Sequence, residues 1–441
     1  MKDIRRYLEH DKYILVIEGF DYLKNSSGTS KAVKSHELLF REHGFDYVCI
    51  YPFNLSYHIG MKHTGIYGVS VNGKACGYTT LNNLKFLLAQ CERKGHGLSG
   101  ILIHHAINNP LNLLGRFLAS FKGVRKVFYL HDYWTCCLSI DMMPNRAKNT
   151  WCHSDMKAGC DGCIWEKRNE AHRAVMKRFF ERIGPCEFVA PSKSVATEWI
   201  RRNPSGFTDV HVIGHLKART FSLRKEDASE GPVRVAFVGA AAVHKGWLEF
   251  QSVAKHCHRN VRLYHMGHTD LRLLGVQKVD VQIHKQGLDA MIRALREHRI
   301  CISLLLSGCL ETYSYTLFES LQAKSLVCCF EGSGNVADVI HETGLGWCFK
   351  DLDALQEFLN SKDLGSIVRE KQKTAVFPEA MVTNDEIVAY FDGKPMGDGR
   401  EALSAQFSLS EAVKAALIAT AILAFNRLKR FVKGLLRKIQ G

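Results

Sequence analysis

The 441-residue chain has no uninterrupted apolar run approaching the roughly 20 residues that a membrane-spanning helix needs. Its longest candidate, Ala415 to Phe425, covers about half of one. Charges are scattered through the N-terminal stretch, and the apolar run Tyr13 to Ile17 is too short for the core of an export signal. A cytoplasmic location follows as the expectation. The 15 cysteines are odd in number and dispersed, which reads as reduced thiols rather than a disulfide framework. No fixed-period repeat is present, so a solenoid is excluded. Acidic residues are in short supply, 44 against 59 Lys and Arg, and the net charge is +15. No zinc-finger, helix-turn-helix or aromatic-basic RNA signature accompanies that charge, so the anionic partner it calls for is not read as nucleic acid.

What is present is an ordinary globular composition, 46% hydrophobic and 23% charged, enough for two or three domains. Apolar, β-branched runs recur as YILVIE at 13, YVCIY at 47, GILIHH at 100, KVFYLH at 126, VRVAFVG at 233, VRLYHMG at 261, VDVQIH at 279, CISLLL at 301 and LVCCF at 326. Helix-length segments lie between many of them, among them 30–43, 80–94, 193–202, 288–298 and 315–324. This alternation predicts βαβ units with parallel sheets covered on both faces. It pauses between Asn203 and Pro232. The expected organisation is therefore an α/β chain of two doubly wound, Rossmann-like domains, 1–205 and 206–400, facing a cleft, with a separate tail at 401–441. In such sheets ligands bind beyond the carboxyl ends of the strands.

The tail opens with Ser408 and Glu411, the spacing of a capping box. Leu428, Phe431, Val432, Leu435, Leu436 and Ile439 recur at helical spacing among basic residues. Residues 401–441 hold seven Lys and Arg and two Asp and Glu, so a third of the net charge sits there. A basic amphipathic helix suits an anionic membrane surface, with a partner protein or plain solvent as the alternatives.

After the strand CISLLL comes SGCLETYSYTLFESL, in which Glu311 and Glu319 stand eight positions apart across a helix start near Ser314 or Tyr315. Unpaired N–H groups at a helix start can hold a phosphate, and carboxylates can accept hydrogen bonds from hydroxyls. A sugar nucleotide presents both. ETYSYTLFESL resembles the signature of the retaining GT-B glycosyltransferases of family four, Glu, seven residues, Glu, in the form many bacterial members carry. The resemblance implies that Glu311 lies against the donor sugar and that Glu319 binds the ribose hydroxyls. It places Thr312, Tyr313, Ser314 and Tyr315 at the donor. FVGAAAVHKGW is similar to the family's first loop of the C-terminal domain. There Gly239 approaches the donor and Lys245 matches the Lys of a diphosphate clamp. The Arg of that clamp falls on Ala240, with His244 the alternative base. In KVFYLHDYW the resemblance assigns His131 to the donor sugar. Ser26, Ser27, Gly28 and Thr29 form the small-residue loop after the first strand, where only Gly lets a diphosphate approach the backbone closely.

Cys136, Cys137, Cys152, Cys160 and Cys163 crowd into 136–163, and the C-x-x-C pair Cys160 and Cys163 has zinc-knuckle spacing. A structural zinc on Cys136, Cys152, Cys160 and Cys163, with Cys137 able to replace Cys136, stands beside packed thiols as the two readings. No catalytic metal is expected. The implied activity is transfer of a sugar, with retention, from a nucleotide-sugar donor to a glycan or lipid-linked acceptor in bacterial surface-polysaccharide synthesis, at the inner face of the plasma membrane. The missing Arg keeps a catalytically weak scaffold open as the alternative.

Overall fold

The computed structural model describes residues 3–25, 27–53, 63–144, 151–152, 160, 163–223, 231–257, 261–392 and 406–439; for 283–284 and 426–439 it describes the backbone alone. By its contacts the chain divides into two units. One comprises Met1–Leu130, Val175–Val189 and Asp385–Gly441, the other His131–Ala174 and Ala190–Asn384.

In the first unit the strands are β1 (Lys12–Ile17), β2 (Asp46–Pro52), β3 (Ile66–Val71), β4 (Lys74–Thr80), β5 (Gly97–Ile103), β6 (Lys126–Tyr129) and β7 (Glu187–Ala190, whose last residue falls in the second unit). They lie in the order β4-β3-β2-β1-β5-β6-β7. β1 pairs in parallel with β2 and β5, and β5, β6 and β7 continue in parallel. Tyr13 to Ile17 are fully buried, as a continuous apolar run demands. The sheet reverses its strand order at β1 and β5. β3 and β4 were not expected from the alternation. They form an antiparallel pair turned by Asn72 (φ 49°) and Gly73 (φ 73°), the Asn-Gly turn whose backbone twist matches that of its strands.

The end of the chain returns to this unit, so the division by contact differs from sequential boundaries at 205 and 400. The Phe391 ring packs on Phe40 at 5.3 Å, and Arg125 donates to the Tyr390 carbonyl at 2.6 Å. The helix Leu409–Ile439 starts on the predicted cap, where the Glu411 N–H donates to Ser408 Oγ at 3.3 Å. The other half of the box is rerouted. Ser408 N–H donates to Asn83 Oδ1, while the Glu411 carboxylate accepts from Thr80 and Asn82. Ala415, Ala419 and Ile422 are buried at the spacing of one helix face, and the helix packs on β4. Leu409, Val413 and Leu417, on the opposite face, are exposed. The basic side chains beyond 425 lie outside the described residues. Among the described residues no helix is long and apolar enough to cross a membrane.

The second unit contains β8 (Val210–Val212), β9 (Leu216–Leu223), β10 (Val233–Val238), β11 (Val261–Met266), β12 (Val276–Val279), β13 (Ile302–Leu305), β14 (Leu326–Phe330), β15 (Gly346–Phe349) and β16 (Val376–Thr383). Six of them form a wholly parallel sheet, β12-β11-β10-β13-β14-β15, around a core of residues such as Val235, Phe237, Phe250, Leu304 and Leu317. Its order reverses at β10 and β13. β9 pairs antiparallel with β16, so the pause between Asn203 and Pro232 contains a strand whose partner lies far along the chain. The strand expected at 279–284 ends at Val279. Asp280 turns the chain there, accepting hydrogen bonds from His268 and Gln282, and a short helix follows at Ile283–Gln286.

His36, on the helix Gly28–Glu42, is buried against the rings of His104 (5.1 Å) and Tyr129 (5.4 Å). Burial lowers its pKa from 6.5 to about 4. The unfolded chain therefore binds the extra proton between those values. The His36 contribution is complete above pH 6.5 and is lost as pH falls toward 4, by roughly 3 kcal/mol. Chemical unfolding of wild type and His36→Phe across that window is expected to show the steeper acid loss only in the wild type.

Candidate functional site

The reversal of strand order at β10 and β13 opens a crevice at their carboxyl ends, where two loops meet. The loop after β10 makes a single turn of 3-10 helix, Val243–Lys245, and is stopped by Gly246 in the left-handed region (φ 84°). A Cβ at Gly246 would lie 2.1 Å from the Leu306 carbonyl oxygen, so the turn that presents Lys245 admits no side chain there. Ser307 Oγ donates to the His244 carbonyl at 2.8 Å and fastens this turn to the chain leaving β13.

That chain carries Glu311. Gly334 (φ 57°) lies so close that a Cβ on it would stand 2.7 Å from the Glu311 carbonyl oxygen, and the Asn335 N–H donates to the same oxygen at 3.0 Å. Thr312 Oγ1 donates to the His131 carbonyl at 2.7 Å, and the Thr312 carbonyl accepts from Ser192 Oγ at 3.0 Å. Held in this way, Glu311 Oε1 accepts a hydrogen bond from Lys245 Nζ at 2.5 Å. The Glu311 side chain is 10% exposed and that of Lys245 39%. Partial burial opposes the ammonium charge, but Glu311 outweighs it, with Cys309 and Asp141 adding, and the Lys245 pKa is raised. Burial and Glu311 together push the Cys309 thiol up to about 12 despite Lys245.

The helix Tyr315–Gln322 starts where the sequence placed it, with Ser314 as its cap and Ser314 Oγ accepting from Leu317 N–H at 3.3 Å. Glu319 is buried one turn in. Tyr313 and Tyr315 pack on His215, at 4.5 and 5.8 Å, and the Tyr313 hydroxyl accepts from Leu216 N–H at 3.1 Å. His131 stacks on the same His215 at 5.1 Å. His131, Lys245 and the Glu311 to Tyr315 loop thus belong to one unit. Gly239 has φ 119°, in the region that favours glycine. Gly28 opens the helix Gly28–Glu42 behind its cap Ser27, and a Cβ there would meet open space, so internal packing does not require glycine. Ser26 lies outside the described residues.

The sequence reading passed over a second pair. Glu18 follows β1 and His105 follows β5, at the strand reversal of the first unit. His105 Nδ1 is 3.4 Å from Glu18 Oε1, and the Glu18 side chain is fully buried. The signal was visible as charged or polar residues closing apolar runs, LVIE and ILIHH. Ser307, Gly334 and Asn335 were also passed over, since small residues in a loop carry no charge pattern.

Of the two cysteines left interchangeable by spacing, Cys136 and Cys137, the structure sets Cys137 beside Cys160 through Asn169. Asn169 Nδ2 donates to the sulfurs of Cys137 at 3.4 Å and Cys160 at 3.5 Å, so Cys137 rather than Cys136 shares a partner with Cys160. Cys136 is fully buried, and burial pushes its thiol up to about 12. Burial likewise raises Cys137 to about 11 and also raises Cys163. Among the described residues no group of three or more His, Cys, Asp or Glu is placed to hold a metal ion.

No protein-family model matches the chain, and no curated protein is similar to it in sequence. Solved structures are. Sucrose-phosphate synthase from Thermosynechococcus elongatus superposes with a TM-score of 0.52 at 12% identity, covering 86% of this chain and 96% of that one. Anabaena HepE in complex with UDP gives 0.47 at 13% identity, covering 82% and 93%. WaaG, a glycosyltransferase involved in lipopolysaccharide biosynthesis, gives 0.46 at 11%, covering 82% and 94%. The first likeness is one of fold, and the chain has the Rossmann-like α/β architecture of the GT-B glycosyltransferases.

Replacing Gly246 by Ala is expected to destabilise the protein by at least roughly 1–3 kcal/mol, the cost of a strained non-glycine residue, before the contact with Leu306 is counted. Urea unfolding measures it. Metal analysis of protein purified under reducing conditions without chelator is expected to find substoichiometric zinc.

Proposed function

We propose that the chain is a nucleotide-sugar-dependent glycosyltransferase that moves a sugar, with retention of configuration, onto a glycan or lipid-linked acceptor in cell-surface polysaccharide synthesis. The observation that carries this reading is the hydrogen-bonded ion pair Lys245–Glu311 at the strand reversal of a parallel sheet. With no donor bound, each group neutralises the other. A donor diphosphate would compete for Lys245 and release the Glu311 carboxylate to accept hydrogen bonds from the sugar hydroxyls. As the glycosidic bond to the nucleotide lengthens, negative charge grows on the departing phosphate. An ammonium already fixed beside it stabilises that charge without reorganisation. Glu319 would hold the ribose hydroxyls, and the N–H groups around Ser314 and Tyr315, with Gly239, would line the path of the diphosphate. His131 would contact the donor sugar.

Ala240, at the position of the family's Arg, favours a second reading, a catalytically weak GT-B protein that binds a donor or partner without efficient turnover. Thermal-shift screening with UDP-, GDP- and ADP-sugars, followed by transfer and hydrolysis assays, separates the two. Under the enzyme reading one donor raises the melting temperature and is consumed. Lys245→Met is then expected to lower kcat by roughly 10²–10³-fold, the scale for removing one electrostatic stabiliser of a transition state. Glu311→Gln is expected to abolish transfer without unfolding the protein. Normal turnover by either variant overturns the assignment.

The tail supports an acceptor carried at a membrane surface. The exposed Leu409, Val413 and Leu417 together with the basic sequence beyond 425 support binding of the cytoplasmic face of an anionic membrane. Each Lys or Arg near such a surface contributes about 1 kcal/mol. Because Ala415, Ala419 and Ile422 are buried in the first unit, the informative truncation is after Phe425. That variant is expected to lose flotation with phosphatidylserine or cardiolipin vesicles while retaining donor binding.

A further inference from the structure

The second unit contains a cavity of about 480 Å³, within the range of small-molecule sites, that the proposed chemistry does not use. It is lined by Trp151, Lys193, Glu198, Glu331, Asp338 and Glu342 among others. Its wall touches the Glu311 loop, since Leu310 lines it and so does Gly334, whose backbone lies against Glu311. The cavity therefore adjoins the place where the donor sugar would react.

Its chemistry excludes a second anion. Glu198 accepts from Arg202 Nε at 2.8 Å and Arg201 Nη2 at 2.7 Å, and Lys193 pairs with Glu342 at 2.7 Å. Lys193, Arg201 and Arg202 are thus spent on two of the carboxylates, and the remaining basic group of the lining is the imidazole of His341. Glu331 and Asp338 remain, and Asp338 Oδ2 is buried with no hydrogen-bond partner among the described residues. A buried acceptor of this kind costs free energy unless a ligand donates to it. Trp151 supplies an apolar surface. The Arg202 guanidinium lies 5.8 Å from its ring centroid, and its indole edge lies against Gly332, where a Cβ would stand 3.1 Å from Nε1. An aromatic ring beside hydrogen-bond-accepting carboxylates suits a pyranose, whose C–H face packs on the ring while its hydroxyls donate.

We propose that this cavity is a saccharide subsite, accepting a neutral or amino-bearing sugar residue of the acceptor glycan and rejecting uronic and phosphorylated sugars. The subsite rests on the glycosyltransferase reading for its purpose, but its occupancy can be measured without turnover. The test is saturation-transfer NMR on the full chain with the methyl glycosides of glucose, galactose, N-acetylglucosamine, glucosamine and glucuronic acid. At least one neutral or amino glycoside is expected to bind, with the glucuronide silent. Trp151→Ala and Asp338→Ala are expected to weaken that binding by about tenfold or more, while Trp151→Phe retains it. Unchanged thermal response to the donor nucleotide shows that these variants are folded. Lys245→Met is expected to lose the donor response yet keep the glycoside signal, so failure of the donor site and failure of this subsite are distinguishable. No signal from any glycoside, a signal unaffected by Trp151→Ala, or equal binding of the glucuronide overturns the proposal.

Discussion

The contact between the Lys245 ammonium and the Glu311 carboxylate depends on one constraint: β10 and β13 lie side by side, run in the same direction and end together. Parallel strands cannot be joined by a tight turn, so each must be followed by a crossover. At the reversal of strand order the two crossovers leave to opposite sides, and the loops that begin them are left facing one crevice. Residues 66 positions apart are brought within a hydrogen bond in this way. Charge then does what packing alone could not, since Glu311 keeps Lys245 protonated against its partial burial.

Around that pair the loops are shaped by small residues. Gly246 and Gly334 occur where a side chain would collide with the backbone of Leu306 or Glu311. Ser192, Ser307, Thr312 and Asn335 tie loop to loop through backbone carbonyls and N–H groups. These ties rest on backbone groups and on Ser, Thr and Asn side chains rather than on the side chains of Lys245 and Glu311. The same arrangement makes the wall of the neighbouring cavity, so the proposed reacting centre and the proposed saccharide subsite share the Glu311 loop as common support.

The parallel strands were legible in the sequence because strands buried on both faces must be apolar throughout. YILVIE, YVCIY, VRVAFVG, CISLLL and LVCCF each fall on one. The partly exposed edge strand β4 was not legible, because exposed polar positions remove that signal, whereas β3 is buried throughout and was passed over. β3 and β4 announced themselves only through Asn72–Gly73, and β9 and β16 are half-exposed strands whose pairing joins residues more than a hundred positions apart. The Glu311, Glu319 and Lys245 positions stood out as charged residues after apolar strands. Glu18 and His105 carried the same mark and were passed over, because neither belonged to a known pattern. The cysteine reading shows the limit of spacing, which left Cys136 and Cys137 interchangeable, whereas Asn169 gathers Cys137 and Cys160.

By itself the sequence determined the fold class, the strand ends on which chemistry could be placed, and the basic amphipathic character of the final helix, because hydrophobic period and charge are local properties of the chain. The tertiary structure alone decided which ends meet. It paired Lys245 with Glu311, returned the segment after Asp385 to the first unit, buried one face of the final helix, and enclosed Trp151 with Asp338. Each of these depends on a distance between residues far apart in the chain, which only the packed core fixes.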